Sequence, residues 1–308
     1  MASLRARVDG LLRAIAAHAA PQQGANAMHV IAYSGGVDSS LAAALVAQVF
    51  PSTTAACLGV SPSLAAHQLT QARRVATEIG IPLWECETTE NELPQYVENK
   101  GQSCYYCKTT LYSTLQQTTA YAMKRASVSG GGDGESVCPV LYNGTNADDL
   151  KDPTRVGLVA AKEFDVVSPL CTLTKAEVRE TAKFLGLSNW NAAASPCLRS
   201  RLEFGVEATQ RHLEQVERAE SFVRRELQLP QDANMRVRFL AGRRAAVELD
   251  AVTLDKALDR SDAITQELVR IGFENVEIRA FRSGSLSGYT PAVEVLHSRR
   301  HYENDASN

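Results

Sequence analysis

The chain has 308 residues, of which 32 are basic and 35 acidic, giving a net charge of -3. That length exceeds what one hydrophobic core usually fills, so two domains are expected. The acidic balance argues against a nucleic-acid-binding surface, and no apolar run reaches the ~20 residues of a membrane helix.

The first segment, MASLRARVDGLLRAIAAHAA, sets Leu4, Val8, Leu11, Leu12 and Ile15 at helical spacing. Its Arg and Ala content admits a transit peptide, but the pattern and Asp9 favour a surface helix packed on the domain. No secretory signal is read, and seven cysteines at irregular spacing look like thiols of a reducing compartment. A cytoplasmic protein is expected.

After the loop PQQGANA, a strand from Met28 to Tyr33 hands over to a helix opening at Asp38 and stopping near Pro51. TTAACLGV reads as a second buried strand, LAAHQLTQARRVATEIG as a helix closed by Gly80, and IPLWECET as a third strand. Residues 104–125 carry a helical pattern, and SVSGGGDGES, 127–136, reads as a flexible surface insertion. CPVLYNGT returns as a strand, and TKAEVRETAKFLGL is an amphipathic helix with Thr174 as N-cap and Glu177 completing a capping box. Strands alternating with helices predict an α/β fold, a parallel sheet with right-handed crossovers covered on both faces.

Past residue 205 a long charged helix leads into MRVRFLAGRRAAVELD, whose alternation predicts a hairpin on a half-buried sheet. Another helix and the strand NVEIRAF follow, and the tail RRHYENDASN reads as frayed. The expected division is an α/β domain over 1–204 and a smaller α+β domain over 205–308.

The strand-to-helix turn SGGVDS, Ser34 to Ser39, is the first chemical signal. Such a turn aims backbone N–H groups and the positive end of a helix at one spot, which suits an anion such as pyrophosphate. Gly35 and Gly36 leave room for it, Ser34, Ser39 and Ser40 supply hydroxyls, and Asp38 is placed to cap the helix or help hold a metal. There is no G-x-x-x-x-G-K-[ST] motif and no loop lysine. SGGVDS instead resembles the PP-loop ATP pyrophosphatases of the adenine nucleotide α-hydrolase-like fold, which implies ATP and Mg²⁺ as cofactors and a substrate activated by adenylation.

Further stretches narrow the resemblance. GVSPSLAAHQL, CYYCKTTLY, NGTNADDLKDPTRVG and VVSPLCTLTKAEVRETAKFLGLSNWNAAASPCLRSRLEFG occur in that order, followed by RVR at 236–238 and FRSGSL at 281–286. Together they look like the LarE-type sulfur transferases over nearly the whole chain. That resemblance implies adenylation of a carboxylate of pyridinium-3,5-biscarboxylic acid mononucleotide and its conversion to a thiocarboxylate, in nickel-pincer nucleotide biosynthesis. In the single-cysteine form of the family the enzyme's own cysteine gives up its sulfur and ends as dehydroalanine, and Cys197 matches that donor. The resemblance also implies a small-molecule nucleotide substrate, no nucleic-acid or membrane partner, and a homo-oligomer.

The residues agree with that chemistry. A thiolate is the best side-chain nucleophile toward an acyl adenylate, and Arg199 and Arg201 beside Cys197 favour it and can meet a substrate phosphate. A buried core thiol is the plainer reading of Cys197. Arg236 and Arg238 share one strand face and match the family's phosphate-holding pair, with Glu220 and Glu248 as weaker matches; solvated arginines are the alternative. Asp148 and Asp149 are candidates for Mg²⁺ and Asn146 for the nucleotide, against an Asx-rich turn. Trp190 reads as core packing.

Cys104 and Cys107 form a C-x-x-C without a second pair, which weakly supports a metal. Some relatives carry sulfur on a three-cysteine iron–sulfur cluster. Only folding could bring Cys171 or the 104/107 pair to Cys197, and the sacrificial route is preferred. Ser103, Val156 and the glycine-rich insertion depart from the family pattern. The rivals are another PP-loop AMP-forming enzyme, an ammonia-dependent amide synthetase or a tRNA thiolase, and a non-catalytic nucleotide- or metal-binding protein on the same fold.

Overall fold

The computed structural model describes residues 2–19, 27–130, 139–230 and 233–281. The loop before Ala27, most of the glycine-rich segment, FRSGSL beyond Phe281 and the C-terminal tail lie outside the described residues. In chain order the elements are α1 (Ala2–Ala19), β1 (His29–Tyr33), α2 (Val37–Val49), β2 (Thr54–Val60), α3 (Ala66–Ile79) and β3 (Leu83–Glu87). After a 3-10 turn at Glu90–Glu92 come α4 (Pro94–Val97), α5 (Ser103–Gly130), β4 (Val140–Tyr142), α6 (Ala147–Leu150), α7 (Gly157–Glu163) and α8 (Lys175–Phe184). A 3-10 turn at Leu198–Arg201 leads to α9 (Gln210–Glu226), β5 (Met235–Leu240), β6 (Arg244–Leu249), α10 (Ala251–Leu258), α11 (Ser261–Ile271) and β7 (Asn275–Ala280).

The first sheet runs β3-β2-β1-β4 with every pairing parallel, and Ile31 lies opposite both Ala56 and Tyr142. Parallel strands covered on both sides read as unbroken apolar runs, and all five residues of β1 are buried. Period-2 alternation then sorts them. Ile31 and Tyr33 join Leu41, Leu45, Ala72, Val178 and Val8 under α1, α2, α3 and α8. Val30 and Ala32 join Leu111, Leu115 and Ala160 under α5 and α7. The α/β parallel-sheet expectation is met. Helix α5 continues through Gly130, so 127–130, read as insertion, extend a helix.

The second sheet runs β5-β6-β7, with β5 and β6 antiparallel across a tight turn at Ala241–Arg243 and β7 parallel to β6. Gly242 and Arg243 both take positive φ there, +69° and +55°. Leu213, Val216, Ala219 and Val223 of α9 pack in one core with Met235, Val237 and Phe239 of β5. The expected half-buried sheet is corrected at β5, where all six residues are buried. Arg236 and Arg238 take up the face that alternation would leave to water. This core also includes Ala65, Tyr96, Leu198 and Leu202, so the two parts meet across a packed boundary. Among the described residues no helix is long and apolar enough to cross a membrane.

One buried group makes the fold sensitive to acid. His29, 1 % exposed, stacks on Phe50 with ring centroids 3.6 Å apart and shares a 2.9 Å hydrogen bond with Tyr142. Burial lowers its pKa to about 4. The unfolded chain, with His near 6.5, binds more protons between these values, so stability is full above pH 6.5 and falls as pH drops toward 4. Urea unfolding at pH 7 and pH 5 should show His29 costing about 2 kcal/mol over that interval. His29→Gln should flatten that part of the pH slope.

Candidate functional site

The turn between β1 and α2 is Ser34, Gly35 and Gly36, with Gly36 as helix N-cap. Gly35 has φ +71°, and a Cβ there would meet Ala72 Cα of α3 at 2.6 Å. No other residue fits that turn without displacing α3. Beside Gly36 such a Cβ would meet only Ser34 Oγ, at 3.4 Å. The two glycines thus divide the work: Gly35 serves the turn and its contact with α3, and Gly36 gives an open approach to the main chain.

The serines brace this loop. Ser39 Oγ donates to Gly36 O at 3.1 Å and accepts from Ser34 N at 3.2 Å. Ser34 Oγ lies 3.1 Å from Ser39 Oγ. Ser40 is buried and accepts from Asn189 Nδ2 at 3.0 Å, which also donates to Gly35 O at 2.9 Å. Asp38 does not cap α2. One of its carboxylate oxygens accepts from Asn146 Nδ2 at 3.2 Å, and the other is ion-paired with Lys175 Nζ.

The Asn-Ala-Asp-Asp segment folds as the Asx-type turn. Asn146 Oδ1 accepts from Asp148 N at 2.9 Å and Asp149 N at 3.1 Å, capping α6. Asp149 accepts from Asn146 N and pairs with Arg155 at 2.7 Å. Asp148 accepts from Lys175 N at 2.9 Å and pairs with Lys151 at 3.1 Å, contacts that hold its carboxyl below the usual range. All four oxygens therefore have protein partners. Among the described residues no three His, Cys, Asp or Glu side chains converge on a metal position. As they stand, Asp148 and Asp149 do not fit Mg²⁺.

Cys197 opens the 3-10 turn Leu198–Arg201, and its loop is held from two sides. On the sheet side, Leu198 N donates to Ser63 O at 2.8 Å, and Gln68 Nε2 donates to Ser195 Oγ at 3.0 Å. Gln71 of the same helix donates to Gly35 O at 2.9 Å. The thiol loop and the Ser34–Gly36 turn therefore both lie at the carboxyl ends of β1 and β2, where ligands bind in open parallel sheets.

On the other side the arginines grip the loop's main chain. Arg201, 1 % exposed, pairs with Glu220 at 2.9 Å, and its Nη1 donates to Cys197 O at 3.1 Å. Arg236 Nη2 donates to Ala194 O, and Arg238 Nη1 donates to Ser200 O at 3.1 Å. Arg238 also pairs with Glu248 at 2.8 Å, which Arg279 meets at 2.9 Å. Arg201, read as a partner of the thiol and the substrate phosphate, is instead a buried pin for the Cys197 backbone. Arg236 forms no ion pair among the described residues. Burial, then repulsion by Arg201 and Arg238, lowers its pKa to about 10.

Folding also brings the C-x-x-C to Cys197. Arg199 donates to Cys104 Sγ at 3.0 Å and to Asn99 Oδ1 at 2.8 Å. Burial works against its charge, but the Cys104 and Cys197 thiols, with Tyr96 and Cys107, raise its pKa overall. Burial pushes the Cys107 thiol up to about 12 against the pull of Lys108, with Glu90, Cys197 and Cys104 adding to the rise. Cys171 is exposed on the segment before α8. Ser103, a departure from the expected pattern, is buried and donates to Tyr96 O at 2.9 Å. Trp190 packs against the first core under Lys183, as read.

No family model matches the chain. An uncharacterized protein of Synechocystis sp. is 40% identical over 198 residues, covering 64% of this chain and 68% of its own length. The pyridinium-3,5-bisthiocarboxylic acid mononucleotide synthase of Lactiplantibacillus plantarum is 28% identical over 263 residues, covering 83% of this chain and 88% of that protein. Over most of its length the chain is thus similar to a relative named as a LarE-type synthase. An uncharacterized protein of Methanocaldococcus jannaschii is 26% identical over 251 residues, 80% of this chain and 87% of that protein.

Sequence reasoning missed Lys175, which was read only as part of a helix start. It also missed Glu90, 2 % exposed, whose Oε1 accepts from Ser61 at 2.7 Å while Oε2 has no partner among the described residues. No local motif marks either one. Breaking a buried ion pair strands the remaining charge, at roughly 3–5 kcal/mol. Glu220→Ala should therefore unfold at markedly lower urea than wild type and expose the Cys197 peptide to limited proteolysis. Arg270→Ala, at an exposed pair on α11, should change the unfolding free energy by a few tenths of a kcal/mol at most.

Proposed function

We propose that the protein is an ATP-dependent sulfur transferase acting on pyridinium-3,5-biscarboxylic acid mononucleotide, in nickel-pincer nucleotide biosynthesis. The observation that carries the reading is Cys197 on a loop stitched to the strand ends beside the phosphate loop. The relative named as a synthase of the bisthiocarboxylic product supports the substrate class.

In this reading ATP arrives as its Mg²⁺ complex, with its phosphates over Gly36 and the first turn of α2. A substrate carboxylate attacks the α-phosphorus, and pyrophosphate leaves. The Cys197 thiolate then attacks the acyl carbon and AMP departs, leaving the substrate as a thioester on Cys197. Loss of the Cys197 α-proton to a base breaks the Cβ–S bond, so the thiocarboxylate leaves with the sulfur and dehydroalanine remains. The positive surplus around Arg236, where Arg201, Arg224 and Arg238 outnumber Glu220 and Glu248, favours the substrate's phosphate.

A second reading keeps the reaction and changes the sulfur source. Cys104, Cys107 and Cys197 interact through charge, beside the cations Arg199 and Lys108. Three thiols flanked by cations suit an anionic iron–sulfur cluster, a group larger than the single ion the residues do not converge on. When bound, such a cluster supplies transferable sulfide and spares Cys197. The protein side of this reading is the thiol trio, Arg199 donating to Cys104, and Lys108 beside Cys107.

Peptide mass spectrometry after turnover with ATP, Mg²⁺ and the biscarboxylate mononucleotide decides between them. Loss of one hydrogen sulfide from the Cys197 peptide is the expected outcome. Thiocarboxylate from an unchanged protein that carries iron and acid-labile sulfide establishes the second reading. Neither product leaves an ammonia-dependent amide synthetase or a tRNA thiolase, the latter marked by RNA affinity that falls steeply with salt. Cys197→Ala should still release pyrophosphate while thiocarboxylate formation drops on the order of 10³-fold or more.

A further inference from the structure

We propose that α3 is the spacer between the two steps of the reaction: Gln71 orients the Gly35–Gly36 peptide for the nucleotide's phosphates, and Gln68 holds the thiol loop for sulfur transfer. Both are positioning residues. The assignment deepens the function proposed above and rests on it.

The Gly35–Gly36 peptide needs a restraint. A peptide between two glycines turns over easily, because neither residue has a Cβ to oppose it. Here Gly35 O accepts from Gln71 Nε2 and from Asn189 Nδ2, each at 2.9 Å, so both of its lone pairs are used. Asn189 is buried and keeps this bond although its Oδ1 has no partner among the described residues. The peptide is trans, so its N–H points away from its C=O. Pinning Gly35 O to these two amides therefore turns Gly36 N–H to the opposite side, where an added Cβ would meet nothing nearer than Ser34 Oγ. Ser34 Oγ also accepts from that N–H, at 3.4 Å, a long bond that a phosphate oxygen can replace.

Gln68 lies one turn earlier on the same face of α3. Its Oε1 accepts from Ala65 N at 3.2 Å, and its Nε2 donates to Ser195 Oγ at 3.0 Å and to Ser195 O. With both ends of the amide engaged, Ser195 is tied to the first turn of α3, two residues before Cys197. The two glutamines are three residues apart, about 4.5 Å along the helix axis. Helix α3 is itself fixed: Ala72, Val75 and Ala76 are buried, and Tyr33 Oη donates to Ala72 O at 3.2 Å. One rigid rod thus carries a donor for each loop.

Arg236 and Arg238 grip the thiol loop from the second sheet. Gln68 sets it against the nucleotide side. The main-chain bond from Leu198 N to Ser63 O persists without Gln68, so loss of the amide shifts the loop and does not unfold it.

The test is a first-turnover assay with ATP, Mg²⁺ and the biscarboxylate mononucleotide, counting pyrophosphate released and thiocarboxylate formed. Gln71→Leu should slow pyrophosphate release by about 10- to 100-fold and leave thiocarboxylate per pyrophosphate within about 2-fold of wild type. Gln68→Leu should do the reverse. Its pyrophosphate release should stay within about 2-fold, while thiocarboxylate per pyrophosphate falls by about 10- to 100-fold as water takes the acyl adenylate to carboxylate and AMP. Thr70→Ala, at an exposed position of the same helix, should match wild type in both. General loosening of α3 would depress both readings in both variants, and that outcome overturns the spacer. So do wild-type values of both readings in either glutamine variant. Wild-type protein that releases no pyrophosphate, or releases it without forming thiocarboxylate, sinks the proposed function and the spacer with it.

Discussion

The Arg201–Glu220 ion pair, almost fully removed from water, is the constraint on which the thiol site depends. Arg201 donates to the backbone of Cys197, while Glu220 accepts from both Arg201 and Val237 N of β5. One carboxylate thus ties the thiol loop, α9 and the second sheet to a common position. Replacing such a pair with apolar side chains is often neutral or stabilising, so its net contribution to stability does not explain it. Its directional hydrogen bonds set where the loop runs, which an apolar contact of the same area would leave loose. Arg236 and Arg238 repeat the device one strand over.

This clamp turns a sheet face expected to meet water into the floor of the site. The arginines on β5 are covered by the loop they hold, and the buried charge they leave unmatched suits an anion. The parallel sheet presents the Ser34–Gly36 turn to the same region through Gln71 and Asn189, both bonded to Gly35 O. A reacting carboxylate brought between the two loops would have a nucleotide on one side and a thiol on the other. Proximity of that kind is worth a large share of a reaction barrier when the groups are held rigidly.

The cysteines show a different kind of dependence. Cys104 and Cys107 sit at the start of α5, and Cys197 lies 90 or more residues later, at the boundary between the two cores. Arg199 reaches from the second segment to the first sulfur. In the proposed function, the choice between sulfur from Cys197 and sulfur carried by the trio turns on this proximity, which the identity of each residue alone does not give.

The seven strands and the longer helices, the parallel sheet, the β5–β6 hairpin and the Thr174–Glu177 capping box were legible in the residues, because they follow from local periodicity and cap chemistry, whereas the short helices α4, α6 and α7 and the break between α10 and α11 were not. The turn at SGGVDS was legible for the same reason, since small residues between an apolar run and a helical pattern mark a strand–helix junction. The division of labour between Gly35 and Gly36 was not legible, since Ala72 touches the loop from another helix. Arg199 and Arg201, two residues apart, looked equivalent beside Cys197, yet one faces a thiol and the other is buried on Glu220. Asp148 and Asp149 looked like metal ligands until Lys151, Lys175 and Arg155 were seen to occupy them. Lys175 itself carried no signal, because its meaning lies in Asp38. Sequence alone determines which elements form and which chemistry the chain carries, since those are short-range properties. Tertiary structure decides which charges meet which, because a side chain's partner is set by packing between segments far apart in sequence.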